Sequence, residues 1–317
     1  MRILLRHPAG PPSASSDELR ALLADPTAFV WADMTGPESH HLELMEKTFG
    51  FHPLAIEDTR NQRQRPKVEE YADHLFLILN PIARDEEGVS FRELDVFIGR
   101  NYLVTVHPEP DPVVDEVERR LGRRGNGKPV SPGYLLYALV DTVVDTYFPV
   151  LDQIDGELSD LEDELLEHPQ EDALRRLLAL KRSLVEVRRV IGPQRDMFNV
   201  LTRRDLELIE PELARYHFRD VYDHLLRITD TVDTFRDLLS SMVDVYMSAI
   251  SNRLNTVVNR LTRVTVVIGA FAVITGFYGM NFSHTWPPLD HPWGTGFTLL
   301  LMVAVAFGLH RFFLEER

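Results

Sequence analysis

Gly279-Met280-Asn281 follow an apolar run and precede a loop of Trp, Pro and His, and the carboxamide of Asn281 is the first group there that could handle an ion. At a helix end an Asn can cap the last carbonyls. Repeated around an axis, the same amide oxygen can meet the water shell of a cation at the mouth of a pore. Residues upstream extend that second reading. In steps of seven, one seam is Asp223, Asp230, Asp237, Asp244, Ser251, Val258, Thr265, Ala272 and Gly279. The seam beside it is Ser241, Ser248, Asn255, Thr262, Gly269 and Gly276. Both lie on one side of a helix and grade from acidic to polar to small. Bulky apolar residues flank them: Leu239, Val243, Tyr246, Ile250, Leu254, Val257, Leu261 and Val264. Small residues at these spacings favour close helix packing. Acid, hydroxyl and amide groups on the same face suit a wet lumen.

The elements that would hold these residues are a long helix and two membrane spans. Beyond Pro211, a suitable helix starter, neither Gly nor Pro occurs until Gly269. Helical through Tyr278, this segment is roughly 100 Å long. Residues 261–278 and 293–313 are nearly wholly apolar, each close to the ~20 residues that cross a hydrocarbon core. The competing reading, two buried core helices, fits poorly with two such runs at the end of a chain. The loop between them has no Lys or Arg, whereas Arg253 and Arg260 come before the first span, Arg263 lies near its start, and Arg311 and Arg317 close the second. Counting basic residues places both termini in the cytoplasm and the short loop, 281–292, outside a cell membrane crossed more than once.

The rest of the chain divides on composition. Residues 1–130 read as an α/β cytoplasmic domain, with strand-like AFVWADM, HLFLILNPI, LDVFIG and YLVTVH, and helical PESHHLELMEKTFG and DPVVDEVERRLG stopped by Gly50 and Gly122. ARDEEG (83–88) is the expected turn of a hairpin. Residues 131–210 form a helical cytoplasmic region, with one helix over 134–167, another over 170–191 and a join at His168-Pro169-Gln170. Its first part is densely acidic and could face the basic KRSLVEVRR (181–189). A stalk helix over 211–261 and a two-helix transmembrane domain over 262–317 complete the chain. Acids outnumber bases 49 to 34, for a net charge of −15, which suits cations and argues against a nucleic-acid partner. Cysteine is absent, so disulfides and thiolate sites are excluded. The opening MRILLRHPAGPPSASS offers no cleavage site, and no secretory signal is expected. The sequence contains no phosphate-binding Gly-rich loop, no H-E-x-x-H and no G-x-S-x-G, so no enzyme is expected.

YGMNF after the first of two C-terminal spans resembles the signature of the CorA family of magnesium and cobalt channels. HPLAIEDTRNQRQRPKVEEY (52–71), YLLYALVDTVVDTYFPVLDQID (134–155), YHFRDVYDH (216–224) and DTVDTFRDLLSSMVDVYMSAISNRLN (230–255) resemble the same family, so the likeness covers nearly the whole chain. The resemblance implies an α+β cytoplasmic domain, a long stalk helix and two C-terminal transmembrane helices, assembled in the bilayer as a funnel-shaped homopentamer. It implies Gly279, Met280 and Asn281 as selectivity filter and Asn255 and Leu261 as pore-lining, which the seams extend to Thr265, Gly269, Ala272 and Gly276. It further implies Asp244 and the Asp85 of a neighbouring subunit as a regulatory metal site. No cofactor is implied; Mg²⁺ is the permeant and regulatory ion. Amides and carbonyls suit Mg²⁺, which releases its waters reluctantly.

Three departures stand out. The loop SHTWPPLDHPWG lacks the Met-Pro-Glu-Leu text common in the family, leaving Asp290 as a substitute acid and His284 and His291 as groups that could bind softer metals. The tail HRFFLEER lacks a strong Lys cluster, and Gly269 replaces a bulky pore residue of some relatives. The leading expectation is a Mg²⁺ channel that also passes Co²⁺ or Ni²⁺ and is gated by cytoplasmic Mg²⁺. Alternatives are a proton-coupled Zn²⁺ transporter of the same superfamily and a non-conducting membrane-anchored divalent sensor.

Overall fold

A computed structural model describes residues 1–7, 15–85, 88–123, 130–167, 171–203, 208–210, 212–280, 286 and 292–315. Two compact units result, Met1–Val243 and Asp244–Arg317.

In the first unit β-branched and aromatic runs form a six-stranded sheet. Its strands are β1 (Arg2–His7), β2 (Phe29–Thr35), β3 (Lys67–Glu70), β4 (Leu75–Leu79), β7 (Leu94–Ile98) and β8 (Tyr102–His107), in the order β1-β2-β8-β7-β4-β3. Among the described strands only β2 and β8 pair in parallel. The central strands are buried at every position, because helices cover both faces. One face packs on α1 (Ser16–Ala24), α2 (Ser39–Leu44) with a following π-helical turn (Met45–Phe49), and α3 (Pro53–Asn61), through Leu19, Met45, Ala55, Phe76, Phe97 and Val104. Gly50, at φ +69°, stops the π turn as the composition suggested. The other face meets α5 (Pro132–Asp145).

The expected hairpin is present as β5 (Ile82–Asp85) and β6 (Gly88–Phe91), but Ala83–Asp85 belong to the strand rather than the turn, and Asp85 pairs with Gly88. Three helix ends differ from expectation. In α4 (Pro112–Arg123) Gly122 does not stop the helix, since one Gly costs only about 1 kcal/mol. The single helix expected over 134–167 is two, α5 and α6 (Tyr147–Glu167), broken where the Thr146 hydroxyl accepts a hydrogen bond from the Ile82 backbone at 3.1 Å. The α7 helix (Glu171–Arg203) passes through Gly192-Pro193, because Ile191, Gln194, Phe198 and Leu201 are buried on both sides of the proline. The join at 168–170 lies outside the described residues.

A second π-helical turn (Leu213–His217) leads into α8 (Phe218–Tyr278), whose 61 residues run through both units. Phe218, Val221, Leu225, Ile228, Val232, Phe235, Leu239 and Met242 are buried at alternating spacings of three and four, a heptad seam. Stacking of Phe218 on Phe198 and a 3.0 Å ion pair between Arg188 and Asp233 tie it to α7. Arg188 therefore serves α8 rather than the acids of α6, most of which stay exposed. After Ser251 no described residue of α8 is buried. The second unit adds α9 (Pro292–Glu315).

Among the described residues three helical stretches are long and apolar enough to cross a membrane: 132–165, the end of α8, and 293–313. In the first, 61% of the most apolar window is buried by its own chain; in the other two, none is. Only the last two offer a lipid-ready surface.

Candidate ion pathway and regulatory residues

Facing the end of α8, the second apolar helix covers one stripe. Arg263, Val267, Ala270, Phe271, Ile274 and Tyr278 are half-buried, as are Thr298, Leu301, Met302, Val305, Ala306, Leu309 and Phe313 on α9. The Arg263 guanidinium stacks 5.6 Å from the centre of the Phe313 ring. At 100° per residue the covered stripe lies roughly 170° from the line of Asn255, Thr265, Gly269, Ala272 and Gly276. Those five residues, with Leu261 at 65%, Met280 at 56% and Gly279, are exposed in the single chain. The structure thus gathers the polar and small residues on one uncovered face of one helix.

Helix α8 ends at Tyr278. The Gly279 N–H donates to the Thr275 carbonyl at 2.9 Å and the Met280 N–H to that of Phe277 at 3.3 Å. A Cβ at Gly279 would lie 3.0 Å from the Thr275 carbonyl oxygen, so the glycine lets the last turn close. Asn281, His284, Asp290 and His291 lie outside the described residues. Trp286 is described: its carbonyl accepts from the Tyr278 hydroxyl at 3.3 Å, and its ring meets Phe297 edge-on at 5.7 Å. Sequence reasoning overlooked this clasp, although Tyr278, Trp286 and Trp293 together are the aromatic signal of a membrane interface.

The two carboxylates of the expected regulatory site lie in different units. Asp85 Oδ1 accepts from the Gly88 N–H at 3.1 Å. It opens on a cavity of about 780 Å³ between the β5–β6 hairpin, α6 and α7, lined also by Arg84, Glu157, Arg176 and Arg182. Arg84 holds Glu157 at 2.8 Å. Asp244 is exposed on α8, on the side away from the buried heptad seam. Among the described residues no three His, Asp or Glu side chains of one chain converge as metal ligands.

A buried polar network elsewhere in the first unit is fully satisfied. His107 Nε2 and the Thr105 hydroxyl reach Asp33 Oδ1 at 2.8 and 2.7 Å, Arg2 binds Asp33 Oδ2 at 2.9 Å, and the Trp31 indole N–H donates to Thr105 at 3.2 Å. Burial alone would lower the His107 imidazole, but the hydrogen bond and charge of Asp33 overcome it and hold the ring above its ordinary value. Burial likewise would raise Asp33, yet His107, Thr105 and Arg2 bring it below the usual carboxylate range. With every group paired, the network is structural.

A domain of mixed sheet and helix, whose final helix continues as the first of two uncovered apolar helices, defines a membrane protein with a large soluble part. The profile described as "CorA-like Mg2+ transporter protein" matches residues 26–314. The "Cobalt/magnesium transport protein CorA" of Thermotoga maritima is 36% identical over 299 residues, 92% of this chain and 84% of that one. The complete structure of the CorA magnesium transporter from Methanocaldococcus jannaschii superposes with a TM-score of 0.81 at 26% identity, over 90% of each chain. The "Zinc transport protein ZntB" of Pectobacterium carotovorum is 26% identical over 77% of this chain and 73% of its own. The chain belongs to the CorA-like Mg²⁺ transporter family. It is a divalent-cation transporter and not an enzyme.

Proposed function

We propose that the chain is a Mg²⁺ channel that also accepts Co²⁺ or Ni²⁺, working as a homopentamer with both termini in the cytoplasm. What carries this reading is the uncovered polar face of α8 opposite the half-buried face that meets α9. Five copies around an axis turn that face onto a shared lumen and leave α9 towards lipid. Asn255, Leu261, Thr265, Gly269, Ala272 and Gly276 then line the pore, with Gly279, Met280 and Asn281 at its outer mouth and Asp290 in the external loop. Carbonyl and amide oxygens hold the water shell of Mg²⁺ without stripping it, which lets the ion leave again. A dication moving inward gains about 4.6 kcal/mol per 100 mV, enough to drive uptake without nucleotide.

Asp244 and the Asp85 of a neighbouring subunit bind cytoplasmic Mg²⁺ and close the assembly. The exposure of both carboxylates supports this, since each is accessible to a second subunit. When internal Mg²⁺ falls, the unneutralised acids repel one another and the stalks loosen.

A second reading, proton-coupled Zn²⁺ transport, is favoured by the similarity to the zinc transport protein. The two separate in proteoliposomes loaded with Mg²⁺, Zn²⁺ and pH dyes. Mg²⁺ influx without proton movement is expected. Asn281→Ala should lower it by about tenfold or more, the effect of roughly 1.4 kcal/mol on a barrier. Zn²⁺ influx with coupled protons would establish the second reading. Absence of any flux at low internal Mg²⁺ from folded protein would make the chain a sensor that conducts nothing.

A further inference from the structure

Beneath α3, two acids share one face of β7 or its approach. Glu93 and Asp95 are two residues apart, so strand alternation points both towards the helix-covered face that Phe97 also joins. Asp95 is wholly buried and Glu93 is 5% exposed. Thr59, on the last turn of α3, is wholly buried too, and its hydroxyl lies beside Asp95 without closing a well-formed hydrogen bond. Four oxygens are therefore buried without hydrogen-bond partners: both of Asp95, Oε1 of Glu93 and Oγ1 of Thr59. Only Glu93 Oε2 is satisfied, by the Gln64 N–H at 2.5 Å.

The neighbouring cations are committed elsewhere. Lys67 holds Asp58 at 2.6 Å and Glu69 at 2.7 Å, and Arg92 holds Asp111 at 3.0 Å. Ionised carboxylates buried without compensation cost several kcal/mol each. A proton would satisfy one oxygen at a time, whereas a cation can bind several oxygens at once. The donors are oxygen only, a set that suits Mg²⁺ or Ca²⁺, and the two carboxylates match two positive charges.

From this juxtaposition we propose that Glu93, Asp95 and Thr59 form a binding site for a hard dication, of Mg²⁺ or Ca²⁺ chemistry, within the α+β domain and separate from the ion pathway. Water completes its coordination. The ion fixes the end of α3 to β7, and through Glu93 it holds the backbone loop that follows the helix.

The test is hydrogen exchange on the full-length protein in detergent, stripped of metal and carrying Asp244→Ala to remove the proposed subunit site. Mg²⁺ alone or Ca²⁺ alone should slow exchange in peptides spanning 59–66 and 93–98 by about tenfold or more at saturation. Glu93→Gln with Asp95→Asn should abolish that response while protection across the rest of the sheet stays unchanged. Thr59→Val, which keeps the shape, should raise the cation concentration needed. Exchange in the parent protein that no dication alters, or a response that survives in the doubly neutralised protein, would each overturn the proposal. The first of these does not depend on the folding of a variant at Glu93, Asp95 or Thr59.

Discussion

Asp33 and His107 show how a buried pair sets a pH window for stability. His107 is raised in the folded state, so its stabilising contribution is complete below the ordinary imidazole value of about 6.5 and fades as pH rises through the raised value. Asp33 is lowered, so its contribution is complete above the ordinary carboxylate value and fades as pH falls through the lowered one. Between pH 6 and 9 the melting temperature of the full-length protein should therefore decline, and His107→Gln should remove most of that slope. Equal slopes in both proteins would place the titrating group elsewhere. Glu93 differs in kind: burial pushes its carboxyl up to about 7, with no cationic partner among the described residues. Residue types alone did not separate these acids, because ionised, paired and metal-seeking carboxylates look the same in a sequence.

Helix α8 carries two surfaces for two solvents. From Phe218 to Met242 its apolar seam is buried by its own unit, while the acidic line including Asp223, Asp230 and Asp237 stays exposed on the far side. Past Ser251 the burial ends and the apolar flanks remain uncovered. Ile228→Ala should thus cost about 2–5 kcal/mol of the soluble unit's stability. A thermal melt would register that at roughly 2–4 °C per kcal/mol. Ser240→Ala, on an exposed position of the same helix, should stay within about 0.5 kcal/mol. Equal losses would mean that the heptad seam does not anchor the stalk.

For the whole molecule, the proposed gate needs carboxylates from two chains. Asp244→Ala and Asp85→Ala, assayed in liposomes with high internal Mg²⁺, should each raise flux by about fivefold or more over the parent. Neither should change flux much when internal Mg²⁺ is low. Inhibition that persists undiminished in both variants would leave the pore reading standing and remove the gate from these residues. Ordering the experiments this way keeps conduction, which rests on α8 and α9, apart from regulation.

The sequence alone determined the features that are local or periodic. Two C-terminal runs of lipid length, the seven-residue polar stripe, the hairpin around Asp85 and the end of α8 just before Gly279 follow from composition and spacing, which do not depend on distant neighbours. The tertiary structure decided which apolar surfaces remain uncovered. Residues 132–165 are as long as a membrane span and apolar enough for one, yet they are packed by their own chain. Only the packing of α9 revealed which face of α8 is left open. Packing also carried α7 past Gly192-Pro193, and it brought Thr59 beside Asp95, 36 residues further along the chain. Burial and pairing are set by contacts between distant segments, and those contacts exist only once the chain is folded.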